Sequence, residues 1–127
     1  MHVCRLSVLT APVLLLIASA PTQAADFPTG TFTTTSSEGA VWNVTFWEKG
    51  RFTATRDGRD AVSGRYAVEK DVIEITDEAG PSAGKGLEKT GSYRWKLNGK
   101  KLTLTLIKDK NAGREALLTG TAFEQKD

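Results

Sequence analysis

From Phe32 to Phe123 the chain alternates apolar and polar residues in short runs, and turn residues break the runs apart. A period of two places alternate side chains on opposite faces, so each run reads as a half-buried strand. Strands are predicted at 32–35, 41–47, 51–56, 62–68, 72–76, 91–97 and 102–106, with an eighth from Arg114 to about Phe123. The connections carry turn chemistry. Ser36-Ser37-Glu38-Gly39, Glu48-Lys49-Gly50, Glu69-Lys70-Asp71 and the Asp109–Gly113 segment separate successive runs, and Asp57-Gly58 and Asn98-Gly99 are the dipeptides favoured in tight hairpins. No helical periodicity of useful length is expected between Ala25 and Asp127.

About eight antiparallel strands with short connections close most simply into a single up-and-down β-barrel, because closure removes exposed edges; a β-sandwich is the alternative all-β arrangement. The stretch Asp77–Leu87 is the longest break and holds Gly80, Pro81, Gly84 and Gly86, which makes it the candidate functional loop at a barrel mouth. Three Gly-x-aromatic units recur: Gly30-Thr31-Phe32, Gly64-Arg65-Tyr66 and Gly91-Ser92-Tyr93. Glycine inside a strand marks a bend or a close backbone approach, so these are expected at barrel corners. The inward set is Phe32, Trp42, Phe46, Phe52, Tyr66, Ile73, Ile75, Tyr93, Trp95 and Leu104. Trp47 alternates out of phase with Trp42, Val44 and Phe46 and is expected outside, unless Asp26-Phe27-Pro28 covers it.

The N-terminus changes the picture of where the domain begins. A short basic start ending at Arg5, an uncharged apolar run from Leu6 to Ala20 and Thr22-Gln23-Ala24 before Ala25 have the pattern of a secretory signal peptide. The expected organisation is signal peptide 1–24 and one β-barrel domain over 25–127, exported to the periplasm or secreted. The apolar run is shorter than the ~20 residues that span a bilayer, so no transmembrane anchor is expected. The only His, the only Cys and the only Met are His2, Cys4 and Met1. After cleavage no disulfide, no Cys–His or Ser–His catalysis and no zinc or copper site on imidazole or thiolate is available. Of the usual haem ligands only Tyr66 and Tyr93 remain, and no cofactor or metal is expected. The 17 basic residues scatter among 15 acidic ones, which argues against nucleic acid as a partner.

The order of these motifs resembles the small bacterial lipocalin-like proteins of the calycin group. Gly30-Thr31-Phe32 resembles the Gly-x-Trp opening with Phe for Trp. Gly50-Arg51-Phe52-Thr53, Gly64-Arg65-Tyr66, Ile73-Glu74-Ile75-Thr76-Asp77, Gly91-Ser92-Tyr93-Arg94-Trp95, Asn98-Gly99, Leu102-Thr103-Leu104, Asp109 and Arg114 follow in similar order. The resemblance implies a barrel that binds a small apolar ligand, with no catalytic residues. It also implies that an Arg late in the chain packs across the opening aromatic. Here that is Arg114 at the start of the last strand, over Phe32 or, failing that, Trp42 or Trp95. Some relatives carry a cysteine pair, and Gly84 and Asn111 stand near those places here.

The first functional expectation is an exported, non-catalytic binding protein that holds a small hydrophobic or amphipathic ligand, with the inward set and Arg114 as its site. The alternative is a protein-interaction module, such as an inhibitor of an exported enzyme, acting through the long loop or Trp47. A glycosidase-like carboxylate pair drawn from Glu74, Asp77 and Glu78 is the weakest reading, because carboxylates at a strand end are usually solvated.

Overall fold

The computed structural model describes residues 27–127, and the expected signal peptide and Asp26 lie outside the described residues. Eight antiparallel strands form a closed up-and-down barrel: β1 (Gly30–Thr35), β2 (Val41–Trp47), β3 (Arg51–Arg56), β4 (Arg59–Glu69), β5 (Val72–Ala79), β6 (Thr90–Asn98), β7 (Lys101–Asp109) and β8 (Phe123–Gln125). First and last strands pair through Phe32↔Gln125 and Thr33↔Glu124, so closure rules out the sandwich. The pairing registers put alternate residues inside. Phe46 faces Phe52, Tyr66 faces Ile75, Ile73 faces Tyr93 and Trp95 faces Leu104, and all of these pack in or against one core.

Three bulges shape the wall. The register slips between Ala54 and Thr55, between Ser63 and Gly64, and between Ser92 and Tyr93. Two of the Gly-x-aromatic units sit at the last two slips, and close approach is the reason. A Cβ on Gly64 would lie 2.0 Å from the Thr76 carbonyl oxygen, and one on Gly91 would lie 2.3 Å from Asp109 Oδ2. Asp57-Gly58 makes the expected hairpin, with φ of 52° and 83°. The β6–β7 turn is displaced by one residue from its expected place. Asn98 still pairs with Lys101, and Gly99-Lys100 forms the connection.

The expected eighth strand is not there over most of its length. Ala112–Gly120 is a helix, α1, and β8 is only Phe123–Gln125. Asn111 starts the helix: its side chain accepts from Arg114 N at 3.0 Å, in the usual manner of an N-cap. Glu115 in the first turn suits the positive end of the helix dipole. Leu118 is buried in the core and Leu117 packs against it. Thr34 on β1 bonds to Thr121 and to the Ala122 carbonyl, so the helix and its exit span the gap beside the short last strand.

The two ends of the barrel are finished differently. One end carries the β2–β3, β4–β5 and β6–β7 turns, and there Phe27 enters the interior. Its ring meets Phe46 at 4.9 Å, Trp95 at 5.0 Å and Tyr66 at 5.5 Å between centroids. The contacts with Phe46 and Trp95 are edge-to-face and the one with Tyr66 is tilted; edge-to-face pairs are favourable beyond the area buried. The other end carries the Ser36–Ala40 loop, the Asp57-Gly58 turn, the Gly80–Lys89 segment and α1.

Candidate functional site

At this second end lies a cavity of about 370 Å³. Its volume is in the range of small-molecule pockets. The wall is built from alternate residues of four neighbouring strands: Trp42, Val44 and Phe46 from β2, Phe52 and Ala54 from β3, Val62 from β4 and Ile75 from β5. Leu117 and Leu118 of α1 complete the apolar lining, and Ser36, Ser37, Glu38, Arg56, Ser82 and Asn111 bring polar groups to it. Glu38 and Arg56 pair with each other at 3.2 Å in solvent.

The sequence-predicted site divides in two. Trp42, Phe46, Phe52, Ile75 and Arg114 line the cavity. Phe32, Tyr66, Ile73, Tyr93 and Leu104 are buried core residues outside its lining, and Trp95 is half-buried against Phe27 at the plugged end. Tyr66 spends its hydroxyl on the Trp47 carbonyl at 2.8 Å, and burial followed by the nearby Glu48 carboxylate raises its pKa.

Arg114 does not begin a strand and does not close the barrel over Phe32. It stands in the first turn of α1, where two buried carboxylates claim the guanidinium. Nε donates to Asp109 Oδ2 at 2.7 Å and Nη2 to Asp109 Oδ1 at 2.8 Å, a bidentate fork. Nη1 lies 2.9 Å from Asp77 Oδ2, and Nη2 also donates to the Glu88 carbonyl at 2.9 Å. The Tyr93 hydroxyl donates to Asp109 as well, and Asn111 N donates to Asp109 Oδ1 at 2.8 Å. The side chains are 8 % exposed for Arg114, 5 % for Asp77 and 0 % for Asp109.

Burial pushes the Asp109 carboxyl up, but the Arg114 guanidinium, the Tyr93 hydroxyl and the Asn111 amide together outweigh it and hold Asp109 below the usual carboxylate range. Burial pulls Arg114 down, and Asp109 and Asp77 more than restore it. Burial and the Asp109 carboxylate drive Tyr93 far above the ordinary phenol range, so its hydroxyl is a neutral donor at physiological pH.

Sequence reasoning left Asp77 in a loop. It belongs to β5, inward with Ile73 and Ile75 at the same period of two, and that parity was the signal that could have found it. The segment after it is pinned: Gly84 N donates to Asp77 Oδ2 at 2.8 Å and Ser82 N to the Ala61 carbonyl at 2.8 Å. Glu74 and Glu78 point outward from the same strand, and Glu78 pairs with Arg51 and Arg65. The three carboxylates therefore do not converge. Trp47 is outside and 53 % exposed, while Phe27, its expected cover, is inside the barrel. Gly84 and Asn111 are neighbours: a Cβ on Gly84 would lie 2.8 Å from Asn111 Nδ2.

Among the described residues no helix is long and apolar enough to cross a membrane, and no group of three or more metal-ligating side chains converges. No family model, no curated protein and no solved structure matches the chain. The closed eight-stranded antiparallel barrel is consistent with a lipocalin-like fold.

Proposed function

We propose that this chain is an exported, lipocalin-like carrier or sensor of a small hydrophobic or amphipathic molecule, held in the end of its barrel. The observation that supports this reading is the cavity of about 370 Å³ with its apolar lining from Trp42, Phe46, Phe52 and Ile75. Barrels of eight strands either fill their interior or keep room for one small ligand, and this one keeps room. The test is titration with N-phenylnaphthylamine, a neutral apolar probe that fluoresces when taken out of water. Saturable binding is expected. Ala54 is 5 % exposed on the cavity wall, and Ala54→Leu should fill the space and abolish the signal while the circular dichroism spectrum is kept. Probe binding unchanged by that substitution would sink the reading.

A second reading, a protein-interaction module, is favoured by one observation: Trp47 is 53 % exposed on the outer face with its indole donating to Thr53 Oγ1 at 3.1 Å. Large aromatic anchors are common at interface centres. Trp47→Ala should abolish capture of an exported protein partner and leave N-phenylnaphthylamine binding intact. Capture that survives the substitution would remove Trp47 as its anchor.

A further inference from the structure

The buried cluster beneath the cavity does not balance its charge. Arg114 brings one positive charge against the two carboxylates of Asp77 and Asp109. Asp109 is fully enclosed and has both oxygens occupied, by Arg114, Tyr93 and Asn111. The excess negative charge therefore falls on Asp77, the one acid of this cluster that lines the cavity. Its Oδ2 takes the contacts from Gly84 N and Arg114 Nη1, and Oδ1 accepts no hydrogen bond among the described residues. Of the fully enclosed side-chain polar atoms, only Asn43 Oδ1 lacks a partner. Asp77 Oδ1 consequently keeps open surface, and the space that Asp77 borders is the cavity. A side chain 5 % exposed with a free anionic oxygen is an expensive thing to hold in an apolar pocket unless a donor completes it. Arg114 gives an anionic ligand nothing to bind, because its Nε and both Nη groups are already engaged by Asp109, Asp77 and backbone carbonyls. The remaining charged groups on the wall, Glu38 and Arg56, neutralise each other.

We infer that the cavity is built for an amphiphile with a cationic donor head, a primary amine on an apolar body, with the ammonium against Asp77 Oδ1 and the body among Trp42, Phe52 and Ile75. This rests on the ligand-binding reading above and names the ligand class. The experiment is calorimetric titration of the protein at neutral pH with octylamine, octanol and octanoate, which share one tail. Both heads would donate to an ionised acceptor, but only the ammonium adds an opposite charge, so octylamine should bind about tenfold tighter than octanol, with octanoate weakest. Asp77→Asn removes the opposite charge and should erase the advantage of octylamine over octanol. The ranking in the unaltered protein is decisive even where that variant folds poorly. Octanol or octanoate binding as tightly as octylamine would overturn the amine assignment and leave the binding reading standing. No binding of any of the three would overturn both.

Discussion

Replacing Arg114 by Met removes the guanidinium while keeping a long unbranched side chain on α1. What remains is the problem. Asp109 loses both arms of the fork at 2.7 and 2.8 Å and Asp77 loses its contact at 2.9 Å, with both side chains almost wholly enclosed. Simple addition of those bonds would overstate the effect, because they share one donor group. Breaking a buried ion pair by deleting one partner is the better measure, and it costs about 3–5 kcal/mol. For a domain of this size each kcal/mol lowers the melting temperature by about 4–8 °C, so a fall of at least about 12 °C is expected. Guanidinium unfolding followed by tryptophan fluorescence reads the same loss as free energy, since Trp42 lines the cavity beside the cluster.

The loss has a pH signature. Asp109 titrates below its unfolded-state value in the intact protein, so its contribution is complete above that value and disappears as pH falls through the folded one. In Arg114→Met the Asp109 carboxyl loses the cation, burial dominates and its pKa should rise above the unfolded value. Protonation then relieves the variant. The stability difference between the two proteins should be greatest near pH ~7 and should narrow below pH ~4. Adding Asp77→Asn and Asp109→Asn to Arg114→Met should recover most of the loss, because no buried charge is left without its partner. A loss below about 1 kcal/mol, or one that stays constant across that pH range, would refute the account of Arg114 as the cluster's buried counter-ion.

Two further substitutions test the frame. Phe27→Ala withdraws the plug that meets three aromatic rings at the turn end, and it should cost about 3–5 kcal/mol in chemical denaturation; a cost under about 1 kcal/mol would mean that the barrel end closes without it. Gly64→Ala forces a methyl to within 2.0 Å of the Thr76 carbonyl oxygen, a backbone atom with little freedom, and it should lower stability by at least about 1–3 kcal/mol. Gly120→Ala, where nothing lies within 4 Å of the new carbon, is the control and should melt close to the unaltered protein.

The barrel was legible because its signals are local and repeated. Trp42, Val44 and Phe46 alternate with Asn43 and Thr45 over a whole strand, and seven of the eight strand positions follow from such runs and the turns between them. The helix was not legible for a physical reason. Nine residues make barely more than two turns, too few for a period of 3.6 to stand out, and an isolated helix of that length is held by tertiary packing more than by propensity. Asn111-Ala112-Gly113 also carries turn chemistry, which hides an N-cap. The local signals that favour helix were Asn111 as a cap, Glu115 in the first turn and the run Glu115-Ala116-Leu117-Leu118 of good helix formers. Placing Arg114 on a strand then carried it toward Phe32. On a helix the same residue turns its fork to Asp109, five positions earlier at the end of β7.

The location of the cavity follows from how the sequence spends its large side chains. Phe27, Phe46, Tyr66 and Trp95 all converge on the turn end, where they pack ring against ring. Between that cluster and the Trp42 ring toward the opposite rim the inward positions are small: Thr34 on β1, Val44 on β2, Ala54 on β3, Val62 on β4 and Gly91 on β6. Segregation leaves one end solid and the other hollow. The hollow end is also where the last strand gives way to α1, so its wall includes a helix anchored through Arg114 as well as strands locked into a ladder. Strand walls are fixed by hydrogen bonds to both neighbours, whereas α1 is held by Leu117, Leu118, the Thr34 contacts and the charged cluster. The group that sets the polarity of the cavity floor is thus the group that seats its one helical wall.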